Sequence, residues 1–118
     1  MENVDVEKLV KDNQNNMATT TQLRLLLSNA VVIKNKVEIE NKDILSEKLQ
    51  GEVKYLLIKH IYQCGRDKKV KEFNERFKIA EKIKKIGDSS KKFNEFYRYL
   101  EEIVAYVKYY VDKQNHEL

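Results

Sequence analysis

The sequence predicts an all-α fold, a single-domain bundle of four main helices, and three observations lead there. Apolar residues recur at spacings of three and four along most of the chain, the period of a helix with one buried face. The 118 residues include no proline and three glycines, too few turn formers for a many-stranded sandwich or barrel. Lys, Glu, Leu, Gln and Ala, all good helix formers, dominate the runs between them. The length suits one domain, since domains usually hold ~100–150 residues. With 42% hydrophobic and 36% charged residues, a core can form beneath a highly charged surface.

Residues 1–17 are polar and weakly periodic. Val6, Leu9 and Val10 allow a turn or two before the Asp-Asn-Gln-Asn-Asn run breaks the pattern, so a flexible arm or a short helix is expected. The bundle itself is expected over 18–118. Thr19-Thr20-Thr21-Gln22 fits a capping box, and Leu23, Leu26, Leu27, Ala30, Ile33 and Val37 form the first stripe, to about Glu38. A second helix begins near Asp43 or Ser46 and turns Leu45, Leu49, Val53, Leu56, Leu57, His60 and Ile61 inward. Gly65 is expected to end it in a left-handed conformation, with Gly65-Arg66-Asp67 as a tight connector. The third helix, Lys68 to Ile86, carries Val70, Phe73, Phe77, Ala80, Ile83 and Ile86 on one side and is stopped by Gly87. Asp88, Ser89 or Ser90 then caps the fourth, which runs to Lys113 with Phe93, Phe96, Leu100, Ile103, Val104, Val107 and Val111 facing in.

Several function classes fall away on composition and motif. The acidic start lacks the basic and apolar regions of a secretory signal. The longest apolar run, Ile103 to Val107, is far below the ~18 residues of a membrane span. A lone cysteine, Cys64, cannot form an internal disulfide and suits a reducing cytoplasm. No phosphate-binding glycine loop, dinucleotide fingerprint or nucleophile elbow is present. His60 and Cys64 are four residues apart on one helix face, but no second pair completes a metal site, so a core thiol beside a buried or boundary histidine is expected. No catalytic residue and no cofactor is assigned.

Charge carries the remaining signal. Residues 1–50 hold seven basic and eight acidic side chains, whereas Arg66 to Lys92 hold eleven and five. Nineteen of the basic residues are Lys and four are Arg, which suits sequence-independent contact with phosphates better than base reading. A solvated helix face is the plainer use of such charge. The last helix carries Tyr97, Tyr99, Tyr106, Tyr109 and Tyr110, too many for one buried face. Some are expected at its rim or at subunit contacts, where amphipathic aromatics are enriched; stacking on bases is their other use.

Three ordered blocks resemble the small helical subunit of type III-A CRISPR effector (Csm) complexes. They are Thr20-Thr21-Gln22-Leu23-Arg24, then Tyr62-Gln63-Cys64-Gly65-Arg66, then Phe93-Asn94-Glu95-Phe96 continued by Tyr99-Leu100-Glu101-Glu102-Ile103-Val104-Ala105-Tyr106-Val107-Lys108. Three positions depart from the family habit: Cys64 replaces a small Ala, Val107 a polar residue, and Leu25 a basic or polar one. The resemblance implies a non-catalytic protein whose copies stack head to tail beside the backbone subunits. It implies that they line the groove holding guide RNA and target RNA, with possible dimers when isolated.

On that reading the RNA-contacting residues are Arg24 and Arg66 by motif position, with Lys54 and Lys59 on the polar side of the second helix. Lys68 and Lys69 join them because cations at a helix start oppose its dipole, which a partner anion relieves; Asp67 or Glu72 is the internal alternative. A salt bridge for Arg24 and carbonyl capping for Arg66 are their structural alternatives. A basic helical adaptor or oligomerisation domain that binds no RNA is the competing function.

Overall fold

The computed structural model describes residues 5–112. Six α-helices follow in order: α1 (Val6–Asp12), α2 (Thr20–Glu40), α3 (Glu47–Arg66), α4 (Lys68–Phe77), α5 (Ile79–Lys84) and α6 (Ser90–Tyr106). A 3-10 turn at Gln14–Asn16 precedes α2, and π-helical turns at Val107–Asp112 continue α6. Among the described residues there is no strand, and the all-α class holds. Helices α2 and α3 form an antiparallel pair, α6 packs on α2, and α4 with α5 together occupy the expected place of the third helix.

The capping box at the start of α2 is present in full. Thr19 Oγ1 accepts from the Gln22 amide at 3.3 Å, and Gln22 Oε1 accepts from the Thr19 amide at 2.9 Å. Helix α2 ends two residues later than expected, at Asn41 in the left-handed region, a residue type that tolerates it. Ser46 caps α3 and Ser89 caps α6, each accepting from the amide three residues on. The turn before α3 is stapled to the turn before α6: the Leu45 amide donates to the Asp88 carbonyl at 2.8 Å, and the Ser90 amide to the Asp43 carbonyl at 3.1 Å.

Several expectations need correction. Gly65 is not left-handed; it lies inside α3, and Asp67 alone turns the chain with extended φ −132°. Asp67 does so because it serves both helices: its amide donates to Gln63 and its carboxylate accepts from the Lys69 amide at 2.9 Å.

The expected third helix is broken at Lys78, which adopts φ +58°. Phe77 and Ile79 are both buried, and a spacing of two cannot share one helix face, so the chain re-phases between them. Ile79, not Ala80, therefore enters the core.

Helix α6 gives way to wider π turns, which bring the adjacent Val111 and Asp112 inward together. The expected end at Lys113 lies outside the described residues. Ile61 also points outward, since it is one position past the α3 stripe.

The core centres on Phe73, Phe77, Phe93, Leu23, Leu49, Ile79, Ile83, Leu100 and Ile103, all fully buried. Each such side chain contributes ~1.5–3 kcal/mol relative to exposure. The Phe73 and Phe77 rings are 5.2 Å apart. Over residues 5–17 the chain belongs to the same body. Val6, Val10 and Met17 are buried, and Tyr110 Oη donates to Glu7 Oε2 at 2.6 Å.

Candidate nucleic-acid interface

Two exposed tyrosines organise the surface between α2 and α3. Tyr55 and Tyr62 are 57% and 63% exposed, seven residues apart on the same side of α3. Lys59 and Arg66 follow each of them by four. Lys59 Nζ stands 4.6 Å from the Tyr55 ring centre, and the Arg66 guanidinium 5.7 Å from that of Tyr62. The four form one stripe, Tyr55, Lys59, Tyr62, Arg66, about 16 Å long at 1.5 Å per residue. Beside it runs a groove of about 400 Å³ lined by Leu25, Asn29, Tyr55, Ile58, Lys59, Tyr62 and Gln63.

The start of α2 meets the end of α3 at this stripe, with Gln22 Nε2 donating to Asp67 Oδ2 at 3.3 Å. Arg66, Lys68 and Lys69 are neighbours in sequence at the α3–α4 junction, and Arg24 lies on the first turns of α2, whose Gln22 reaches that junction. Lys54 does not join them. It lies on another side of α3 and lines a separate groove with Gly51, Lys84 and Gly87.

Among the described residues none of these six cations has a carboxylate within ion-pair distance; the ion pairs there are Lys8–Asp12, Lys34–Glu38, Lys36–Glu52 and Lys85–Glu81. Arg24 thus has no internal salt bridge among those residues. For Lys68 and Lys69 the internal alternative is occupied: the Asp67 carboxylate caps α4 and already opposes their charge at the helix start.

Sequence reasoning passed over Tyr55 and Tyr62. The signal was the repeated tyrosine-to-cation spacing of four, on the α3 face that carries no core residue. The tyrosines of the last helix, by contrast, are mostly packed. Tyr97 is buried, and Tyr99 Oη donates to the Phe77 carbonyl at 3.0 Å, satisfying an acceptor freed by the break at Lys78. Burial, reinforced by Glu102, pushes the Tyr99 hydroxyl up to about 12. Tyr106 and Tyr110 stack at 6.3 Å, and Tyr109 is the exposed member of the group.

His60 is 3% exposed, with Nε2 3.1 Å from Asn74 Oδ1 and 3.6 Å from the Cys64 sulfur. Asn74 Oδ1 also accepts from the Ala80 amide at 2.8 Å. One carboxamide thus joins α3, α4 and α5 at the break. Burial pulls the His60 imidazole below its ordinary value, partly offset by the bond to Asn74, and burial raises the Cys64 thiol. Among the described residues no cluster of His, Cys, Asp and Glu is arranged to hold a metal, and no helix is long and apolar enough to cross a membrane.

The profile of a family described as Csm2 Type III-A matches residues 4–113. The chain belongs to this Csm2 type III-A family. Similar proteins carry the description "CRISPR system Cms protein Csm2". One from Mycobacterium tuberculosis (strain CDC 1551 / Oshkosh) is 38% identical over 91 residues, covering 77% of this chain and 73% of the relative. Another from Streptococcus thermophilus is 36% identical over 109 residues, covering 92% and 86%. A third from Enterococcus italicus is 32% identical over 116 residues, covering 91% and 83%. The resemblance seen in the three sequence blocks therefore extends over the whole described structure.

Proposed function

We propose that this Csm2-family protein is a non-catalytic small subunit of a type III-A CRISPR ribonucleoprotein in the cytoplasm. Several copies stack along the complex and line its guide and target RNA groove. The observation that supports RNA contact is that Lys59 and Arg66 lie over exposed tyrosines of α3 while, among the described residues, neither they nor Arg24, Lys68 and Lys69 have an ion-pair partner. An A-form duplex presents phosphates and 2′-hydroxyls rather than a readable major groove, so a Lys-rich surface engages it without reading sequence. Lys54, with Lys84 across a second groove, offers a separate phosphate contact.

Stacking and partner contacts draw support from apolar residues elsewhere on the surface. Ile39 is 83% exposed, and Val32 and Ile44 are also exposed. The same residues would serve the competing role, an adaptor that binds only proteins.

Purification of the chain from its native cells separates the two. Short repeat-spacer guides and larger subunits should co-purify, and Arg66→Glu should weaken target-RNA engagement while leaving the bundle folded. Partner proteins recovered without guide RNA would establish the adaptor instead.

A further inference from the structure

We infer that the α2–α3 groove is a capture site for unpaired RNA bases, with Tyr55 and Tyr62 as stacking platforms. The inference rests on the RNA-lining role and adds to it a preference that phosphate contacts alone cannot give. Four features of the groove point to a nucleobase.

Its walls are two aromatic rings that stand more than half exposed, although each has a large apolar face. Its floor is apolar, from Leu25 and Ile58. Asn29 and Gln63 place carboxamides at the edge, and among the described residues neither side chain has a hydrogen-bond partner. A carboxamide carries both donor and acceptor and meets the edge of any base. Finally, Lys59 and Arg66 lie over the two rings, so each ring carries a cation within reach of the phosphate of a nucleotide stacked there.

Aromatic faces interleaved with cations are the arrangement that holds single strands, because every base has a π-face and every nucleotide a phosphate. The two rings are seven residues apart, about 10 Å along α3, so they receive separate bases of one extended strand rather than sandwiching one. A paired duplex keeps its bases stacked on one another and out of reach. The site therefore favours unpaired or splayed nucleotides.

The charge of the groove sets it apart from a contact between two copies through the same face. A two-fold pairing would bring Lys59 and Arg66 near their own copies without acidic partners.

The test compares two labelled probes of about ten nucleotides on the full-length chain at about 50 mM salt: an oligouridylate, and a ribose-phosphate strand of equal charge lacking bases. Base capture predicts that the oligouridylate binds at least about tenfold more tightly. That ratio should fall to about one in Tyr55→Ala/Tyr62→Ala and survive in Tyr55→Phe/Tyr62→Phe, which keeps the rings. Circular dichroism confirms that each variant is folded.

Equal affinity for the two probes in the native chain would overturn base capture while leaving phosphate contact standing. Failure of both probes to bind would remove the RNA-lining role itself. A double alanine variant that keeps the native probe ratio but drops out of the assembled complex would make this face a protein contact and overturn the inference.

Discussion

Replacing Gly65 by alanine should stabilise the protein, and the same change at Gly87 should destabilise it. Gly65 lies inside α3 on the exposed side, with ordinary negative-φ backbone and no atom within 4 Å of where a Cβ would stand. Alanine there clashes with nothing and removes conformational freedom from the unfolded chain. Because the site is near the end of the helix, the gain should be about 0.5–1 kcal/mol. Gly87 also has open space around it, but its φ is +58°. A Cβ in the left-handed region costs roughly 1–2 kcal/mol. Space is equal at the two positions and backbone is not, so the signs should differ. Urea unfolding followed by far-ultraviolet circular dichroism reads both, with the slope unchanged. A lowered midpoint for Gly65→Ala would mean that the residue is left-handed after all, and the continuous α3 ending at Asp67 would be wrong.

Three further outcomes follow from the contacts at the helix junctions. Asn74→Ala leaves the Ala80 amide without its acceptor and buried His60 without its partner, and should cost about 2–4 kcal/mol in the same unfolding assay; a cost under about 1 kcal/mol would show that the carboxamide does not hold the α4–α5 break. Because burial lowers the His60 value, the unfolded chain binds the proton first. Stability attributable to His60 is complete above about pH 6.5 and is lost as pH falls toward the folded value, by at most about 1.4 kcal/mol per pH unit. His60→Leu should flatten that part of the profile, and an unchanged profile would refute the assignment. Asp112, buried beneath the last turn, accepts from the Thr20 amide at 3.1 Å and from its hydroxyl; Asp112→Ala should speed hydrogen exchange in the first turn of α2, and unaltered exchange would contradict the tether.

Much of this fold was legible because its helices obey local rules. The Thr19 capping box, the Ser46 and Ser89 caps and the stop at Gly87 are short-range chemistry, and each stands where the spacing put it. The failures came where tertiary contacts chose between local options. Gly65 could have ended a helix, but Asp67 was able to cap on both sides, so the chain had no use for a left-handed residue. Phe77 and Ile79 compete for one face, and only the packing of Ile79 into the core shows that the chain breaks at Lys78 to admit both.

The candidate site divides in the same way. Basic residues announce themselves by charge, and Arg24 and Arg66 by their place in the blocks. That Lys54 stands apart from the others follows from helix rotation, since five residues carry it about 140° away from Lys59. Tyr55 and Tyr62 were hidden because an aromatic in a helix reads as core until its exposure is known.

The central claim is that this surface holds RNA through its phosphates, and the salt dependence of binding tests it most directly. If Arg24, Lys59, Arg66, Lys68 and Lys69 each neutralise about one phosphate of a single strand, log affinity should fall against log salt with a slope near −3 to −3.5. Arg66→Glu should reduce the magnitude of that slope by about 1. A slope near zero, or one that Arg66→Glu leaves unchanged, would contradict the account and leave the cations as a solvated helix surface.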